Sequence, residues 1–390
     1  MGVREVVELL GLDSGTLENG EIIDTTVHIS DVATLRQLFG GSLTDEQRSQ
    51  FTGGTASSDE HPQMSALIDH VFGSGELSDE TRTYAGQVFP VQVRLMAGGT
   101  VTIDTDLTVG PLAQPYAIIA DNLIFAGGSL TMLATSLTIQ AGQVSVKSGS
   151  AGKPYHLGIL GVDGTQPQQA SAGTAYTQPA AAGSNASAPT PGICTGASNG
   201  GNGTNGSKGN TGSNGQNGNA GSASYPASIT ISKFDPASTG VLVLQTQSGA
   251  GGTGGQGGDG GTGQDGGSGG SGCDSGCEGT DGGNGGNAGP GGDGGPGGNG
   301  TDGINGYPIN ISFPLASKNM LQTVSLAAPP GGKGVGGNPG GPGNPGGGGS
   351  GGKHKSDGQA GSGSGKGQPG ADGSAGTNTG APGQIIPTFT

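Results

Sequence analysis

Three cysteines, Cys194, Cys273 and Cys277, have the most definite chemistry in this chain. In a protein short of apolar residues, a disulfide within Cys273-Asp-Ser-Gly-Cys277, or from Cys194 to either partner, would pin a turn. Free thiols are the other reading, and an odd count leaves one thiol over, available for an intermolecular bond. A CxxxC pair with no histidine nearby is a poor zinc site, so no metal is expected.

Other groups that could catalyse are scattered. Asp69-His70 is a carboxylate beside an imidazole, but no nucleophile motif accompanies it. His28 and His61 have no metal-ligand spacing, and His156 and His354 lie in glycine-rich surroundings. "GGTGQDGGS" is similar to a calcium nonapeptide, but Gly267 stands where a large apolar residue is required. "GGKGVGG" (331–337) lacks the Lys-Ser/Thr of a phosphate loop. No catalytic residue, cofactor or metal ligand is therefore expected, and the chain reads as non-enzymatic.

Of 390 residues, 91 are Gly and only 29% are hydrophobic, against roughly 45–50% apolar in an ordinary domain. One conventional core cannot span the chain. With only 23 Pro the composition does not fit a collagen triple helix. A net charge of −15 argues against nucleic acid and against an anionic membrane surface as partners. No apolar run reaches the roughly 18–20 residues of a membrane helix. "MGVREVVELLGLDSG" does not read as a secretory signal. The protein is expected extracellularly, on a cell surface or in a virion, with leaderless export and release by lysis, as with a phage particle, both open as routes.

The elements fall into blocks, an expected multi-domain α+β arrangement. All five Arg precede residue 95 and all nine Lys follow residue 146, which marks a boundary near Ala97. Residues 1–97 read as an α-rich attachment or assembly domain. Ser30 or Asp31 caps a helix with Leu35, Leu38 and Phe39 inward, and Thr44 with Gln47 has capping-box spacing. Met64, Leu67, Ile68 and Val71 or Phe72 share a helical face, and Ser78 starts a last helix. Val91–Ala97 alternates like a strand.

Residues 98–164 carry short β units at Leu123, Leu130, Leu137 and Val144, a beat of seven. Three such units make a rung of about 21 residues, as in a stacked β-solenoid; a β-sandwich is the alternative. Residues 225–249 and 307–330 repeat the strand chemistry after Tyr-Pro, and 384–390 reads as a terminal strand. These segments return the chain to one β core after each glycine excursion.

Between them lie low-complexity and glycine-triplet blocks at 165–224, 250–306 and 331–383. Gly holds every third position from 200 to 221, 16 of 19 from 252 to 306, and 14 of 16 from 331 to 376. A slack linker needs composition, not phase. Period three is that of polyproline II, whose close packing admits only Gly at a buried position. Gly252, Gly255, Gly258, Gly282, Gly285, Gly291 and Gly294 are the expected packing glycines. The intervening Thr253, Gln256, Asp259 and Asp293 are expected to face water and to tolerate substitution.

Runs such as "GGNGGNAGPGGDGGPGGNG" (282–300) resemble the polyglycine-II bundles of T-even-type phage tail-fibre adhesins and, more weakly, the glycine-rich springtail antifreeze proteins. The likeness covers about a third of the chain. The first resemblance implies receptor recognition at a bundle tip, here the turn around 273–277, with a cell-surface carbohydrate or protein as partner. The second implies a flat ice-binding face. Residues 1–97 would join copies into an oligomer, a filament or a fibre.

Overall fold

The computed structural model describes residues 2–18, 21–51, 62–111, 114–148, 152–188, 194, 196–274 and 278–390. It is a mixed α/β fold with few helices and two open, mostly parallel sheets. The larger sheet takes β1 (Ile23–Ile29), β2 (Val91–Ile103), β4 (Tyr116–Ala126), β6 (Leu137–Ser148), β8 (Ala227–Phe234), β10 (Ile309–Phe313) and β12 (Ile385–Phe389), in that order. The smaller takes β11 (Leu321–Leu326), β9 (Leu242–Gln247), β7 (Leu157–Leu160), β5 (Leu130–Leu133) and β3 (Leu107–Val109). From β2 on, successive strands alternate between the sheets, so each pass adds one strand to each. Every pair is parallel except β1 with β2.

Identical side-chain types stack along the core. Ile118, Ile139, Ile229 and Ile311 are aligned in register across β4, β6, β8 and β10, and all are buried facing the smaller sheet. Tyr116 pairs with Leu137, twenty-one residues on. The beat of seven divides that repeat, but Leu137 and Val144 share β6, so the units form two sheets rather than three equal faces.

The other face of the larger sheet is apolar on β2 and β4 and polar further on. Ala117 and Ile119 meet the helices, whereas Thr138, Gln140, Ser228, Thr230, Asn310 and Ser312 line β6, β8 and β10. Among the described residues of the N-terminal region the helices are α1 (Val3–Leu9), α2 (Gly15–Glu18), α3 (Val32–Gly40), α4 (Asp45–Gln50), α5 (Pro62–Phe72) and α6 (Asp79–Val88). Asp31 caps α3, Thr44 and Gln47 form the capping box of α4, and Ser78 caps α6. The α3–α4 region answers the polar rows: Thr230 Oγ1 donates to Ser42 Oγ (2.9 Å) and Gln47 Nε2 to Ser312 Oγ (3.2 Å).

The composition break at Ala97 falls inside β2, which runs unbroken through it. Leu38 and Phe39 of α3 belong to the same buried cluster as Val93, Leu95, Ala117, Ile119 and Tyr307. The helices therefore cover the sheet rather than forming a core of their own. β1 is an element that the alternation of Ile23-Asp-Thr-Thr-Val-His-Ile29 supports but the helical reading of this block passes over; its Asp24 pairs with Arg94 at 2.9 Å.

Candidate functional site in the glycine lattice

Each glycine block is an excursion between the two sheets. Residues 161–188 leave β7 and 196–222 return to β8. Residues 248–274 leave β9 and 278–306 return to β10. Residues 329–352 leave β11 and 356–383 return to β12. These six segments carry no regular helix or strand, yet their backbones bond at every third residue.

The outgoing first, third and fifth segments lie side by side and parallel. Gly161 N–H donates to Gln247 C=O, Gly164 to Ala250 and Gly173 to Asp259; Gly254 donates to Gly332 and Gly257 to Val335. The returning second, fourth and sixth form the second layer: Gly203 donates to Asn284 and Gly285 to Gln359. Bonds between the layers are antiparallel, as in Gly258 to Ser213, Gly295 to Gly258 and Gly337 to Gly295. The layers continue the sheets. Leu160 pairs with Gln247 at the end of β7 and β9, and the next bond, Gly161 to Gln247, opens the lattice.

The close approach explains the glycine phase. A methyl group on Gly291 would collide with Gly340 C=O, one on Gly258 with Ser171 C=O, and one on Gly282 with Gly349 C=O. Gly252, Gly285 and Gly294 meet backbone in the same way. Gly255 is looser, its nearest neighbour being Gln216 O at 3.1 Å. The breaks in phase have local causes. At Gln264 the first segment steps four residues, from Tyr176 to Ala180, while the third steps three; Gln264 Nε2 donates to Gln178 C=O. At Ala288 the sixth segment's bonds to the fifth pass from Gly361 to Gly367. Cys273 is disulfide-bonded to Cys194 with Cα atoms 6.0 Å apart, tying Cys194, which lies in sequence between the first and second segments, to the end of the third. Cys277 lies outside the described residues, as does His61.

The expectation that the third residue of each triplet is indifferent needs correction. Its own N–H is a donor that needs an acceptor. Asn202 Oδ1 accepts from Asn284 N–H (2.8 Å), while the next residue, Gly203, donates to Asn284 C=O (2.8 Å). One Asn-Gly dipeptide thus grips both backbone groups of one residue on the neighbouring segment. The same two-bond clasp joins Asn205-Gly206 to Asn287, Asn217-Gly218 to Asn299, Asn284-Gly285 to Gln359 and Asn299-Gly300 to Ser374. Asp serves equally: Asp259-Gly260 clasps Asn338, Asp265-Gly266 clasps Asn344 and Asp293-Gly294 clasps Gln368. The signal was present in the sequence as Asn or Asp standing immediately before a lattice Gly.

Asn299→Ala should lower the melting temperature by leaving Ser374 N–H without its acceptor, a loss of about 1 kcal/mol. Asn299→Asp keeps the acceptor and should retain most of it. Amide exchange at Ser374 should rise in the first variant and hold in the second.

Charge reinforces some clasps. Asp293 is held below the usual carboxylate range by the Gln368 N–H and then by Lys208; Asp302 by Asn378 and Thr377; Asp372 by Lys333 and then the Gly336 N–H. A carboxylate with a lowered folded pKa contributes stability above its ordinary value of 3.8, and that contribution is lost as pH falls through the folded value. Thermal melts should therefore drop below about pH 4. Asp293→Asn keeps Oδ1 but not the charge, so it should flatten that dependence.

The lattice is closed on one side. On the third segment Gly251, Gly254 and Gly257 donate to the fifth. The matching phase of the fifth segment carries Pro330, Pro339, Pro342 and Pro345, which have no N–H. Gly336 and Gly351, in that same phase, donate instead to Asp372 Oδ1 (3.0 Å) and Asp357 Oδ1 (2.7 Å). On either side of β12, Gln384 accepts from Ile309 of β10 and Thr390 donates to Phe313, so Pro387 occupies an outward-facing position. Proline at such positions blunts an edge against strand addition.

The remaining singled-out groups lie elsewhere. His70 Nδ1 donates to Gly75 C=O (2.8 Å), and burial lowers its pKa while raising that of Asp69. His156 Nδ1 accepts from Val243 N–H (3.1 Å) beside Phe125, and His28 lies 3.3 Å from Gln92 on the β1–β2 pair. His354 turns the fifth segment into the sixth with φ of 59°. Among the described residues no cluster of three His, Cys, Asp or Glu could hold a metal, and no helix is long and apolar enough to cross a membrane. Comparison of the chain with family models, curated proteins and solved structures finds no match.

Proposed function

We propose that this is a non-enzymatic structural or recognition protein, an extracellular filament, surface or tail-fibre component. Its six glycine segments form a polyglycine-II bundle, and its two-sheet core is a solenoid-like base that sets their register. The supporting observation is the three-residue backbone bonding shared by all six segments and continuous with the sheets. Bonds at every segment boundary resist bending, so the bundle is a stiff projection that presents its far end, where Cys194, Cys273 and His354 lie, at a distance from the core. A carbohydrate or protein receptor at that tip is the recognition partner. Proline on the fifth segment and β12 directs any homo-oligomer through residues 1–97 rather than by growth of the lattice. Ice binding is the weaker reading, because many of the Asn and Asp side-chain carbonyls are engaged in clasps and are not free to order water.

Amide exchange across 252–306, followed by negative-stain imaging with and without receptor-bearing vesicles or cells, tests this. Slow exchange with rods attached end-on supports the proposal. Random-coil exchange removes the bundle, and side-on attachment removes the tip.

A further inference from the structure

Asn-Gly is the dipeptide most prone to spontaneous deamidation, because Gly offers an unhindered backbone nitrogen. That nitrogen loses its proton to hydroxide and attacks the Asn Cγ. The N–Cγ bond forms, the Cγ–Nδ2 bond breaks and ammonia leaves. Water then opens the cyclic imide to aspartate or isoaspartate. Eight Asn-Gly pairs lie among the described residues, all in this lattice.

The clasp restrains both reacting groups at once. In Asn217-Gly218 the side-chain carbonyl accepts from Asn299 N–H (2.9 Å) and the Gly218 N–H donates to Asn299 C=O (2.8 Å). Attack requires rotating the Asn side chain and backbone out of the extended form, which breaks both bonds. Asn214-Gly215 differs. Gly215 N–H still donates, to Pro296 C=O (2.8 Å), but Pro296 has no N–H to offer Asn214 Oδ1. Asn214 is exposed, and its carboxamide has no partner among the described residues.

We propose that the Asn-Gly clasp is a chemical lock as well as a structural one, and that Asn214 is the lattice's site of spontaneous isoaspartate formation. Isoaspartate inserts an extra backbone carbon and so destroys the three-residue register on its own segment. The reaction would thus mark and loosen the second segment while the clasped positions persist.

The full chain is incubated in mildly alkaline buffer, digested, and its isoaspartate mapped by mass spectrometry. Tryptic cleavage after Lys208 and Lys233 places Asn214 and Asn217 in one peptide. Asn214 should react at least about fivefold faster than Asn217, the factor of a single hydrogen bond. In urea the two should react at comparable rates. Pro296→Gly restores the missing N–H and should bring Asn214 down to the Asn217 rate. Equal rates in the folded wild type overturn the proposal, as does an unchanged Asn214 rate in a variant where Asn217 stays slow. If Asn217 accelerates in the variant, the lattice has opened, and the wild-type ratio with and without urea decides.

Discussion

Gly291→Val should unfold the lattice well below the wild-type melting temperature. Gly291 donates to Gly365 C=O on the sixth segment, and the position of its missing side chain is filled by Gly340 C=O on the fifth. A side chain there must push two segments apart. Overpacking costs about 1–3 kcal/mol or more, and the neighbouring bonds Gly340 to Gly292 and Gly343 to Gly289 would weaken with it, at about 1 kcal/mol each. The expected loss is therefore about 3–5 kcal/mol, large against the 5–15 kcal/mol that holds most proteins folded.

The control is Gly341→Ala. Gly341 has nothing within 4 Å of its Cβ position. Removing a glycine from an extended site stabilises by about 0.4–1 kcal/mol through the unfolded chain. Thermal melting of both variants separates packing from composition. A flexible, solvated glycine tract would treat the two alike, and equal midpoints would mean that the triplet phase has no packing role.

How much of this could be read in advance follows from what each residue type encodes. Glycine content per triplet reports how many faces of a segment are covered. The second segment, with Gly at one position in three, leaves positions such as Lys208 and Asn214 exposed, whereas the doubled glycines of 252–261 and 291–298 belong to segments with neighbours on four sides. That much is legible because a missing Cβ is a steric statement. The clasp is less so. Treating Asn284 or Asp259 as a solvent-facing side chain leaves its backbone N–H out of account, and only a full tally of donors assigns a partner to it. The composition break at residue 97 does not coincide with a break in the core, for a related reason. Charge usage reports solvent exposure, but the inward faces of β2 and the helices are apolar on both sides of that boundary, and it is they that share a core. The pairing of Cys194 with Cys273 was one of several geometries that spacing allowed, since proximity here depends on how the segments fold back.

Breaking that disulfide should cost the lattice about as much as a packing error. Glycine loses more backbone entropy on ordering than any other residue, and the segments bury little apolar surface in return. Their stability therefore depends strongly on how much freedom the unfolded chain has. The bond joins residues 79 apart in sequence, and closing a loop of that size restricts the unfolded chain by about 4.5 kcal/mol in the chain-entropy treatment, with about 2–4 kcal/mol typical of measured cases. It also lies at the end of the bundle remote from the sheets, where no strand register is available to align the first and third segments. Cys194→Ser alone leaves Cys273 able to pair with Cys277, so the double variant Cys194→Ser, Cys273→Ser is the cleaner comparison. Denaturant unfolding should show the midpoint lowered, and amide exchange should rise first at the far ends of the segments, near Gly201, Gly270 and Gly283, while Gly161 and Gly306 beside the sheets stay protected. Exchange rising evenly along the segments would mean that the disulfide does not anchor the tip and that the sheets alone hold the lattice in register.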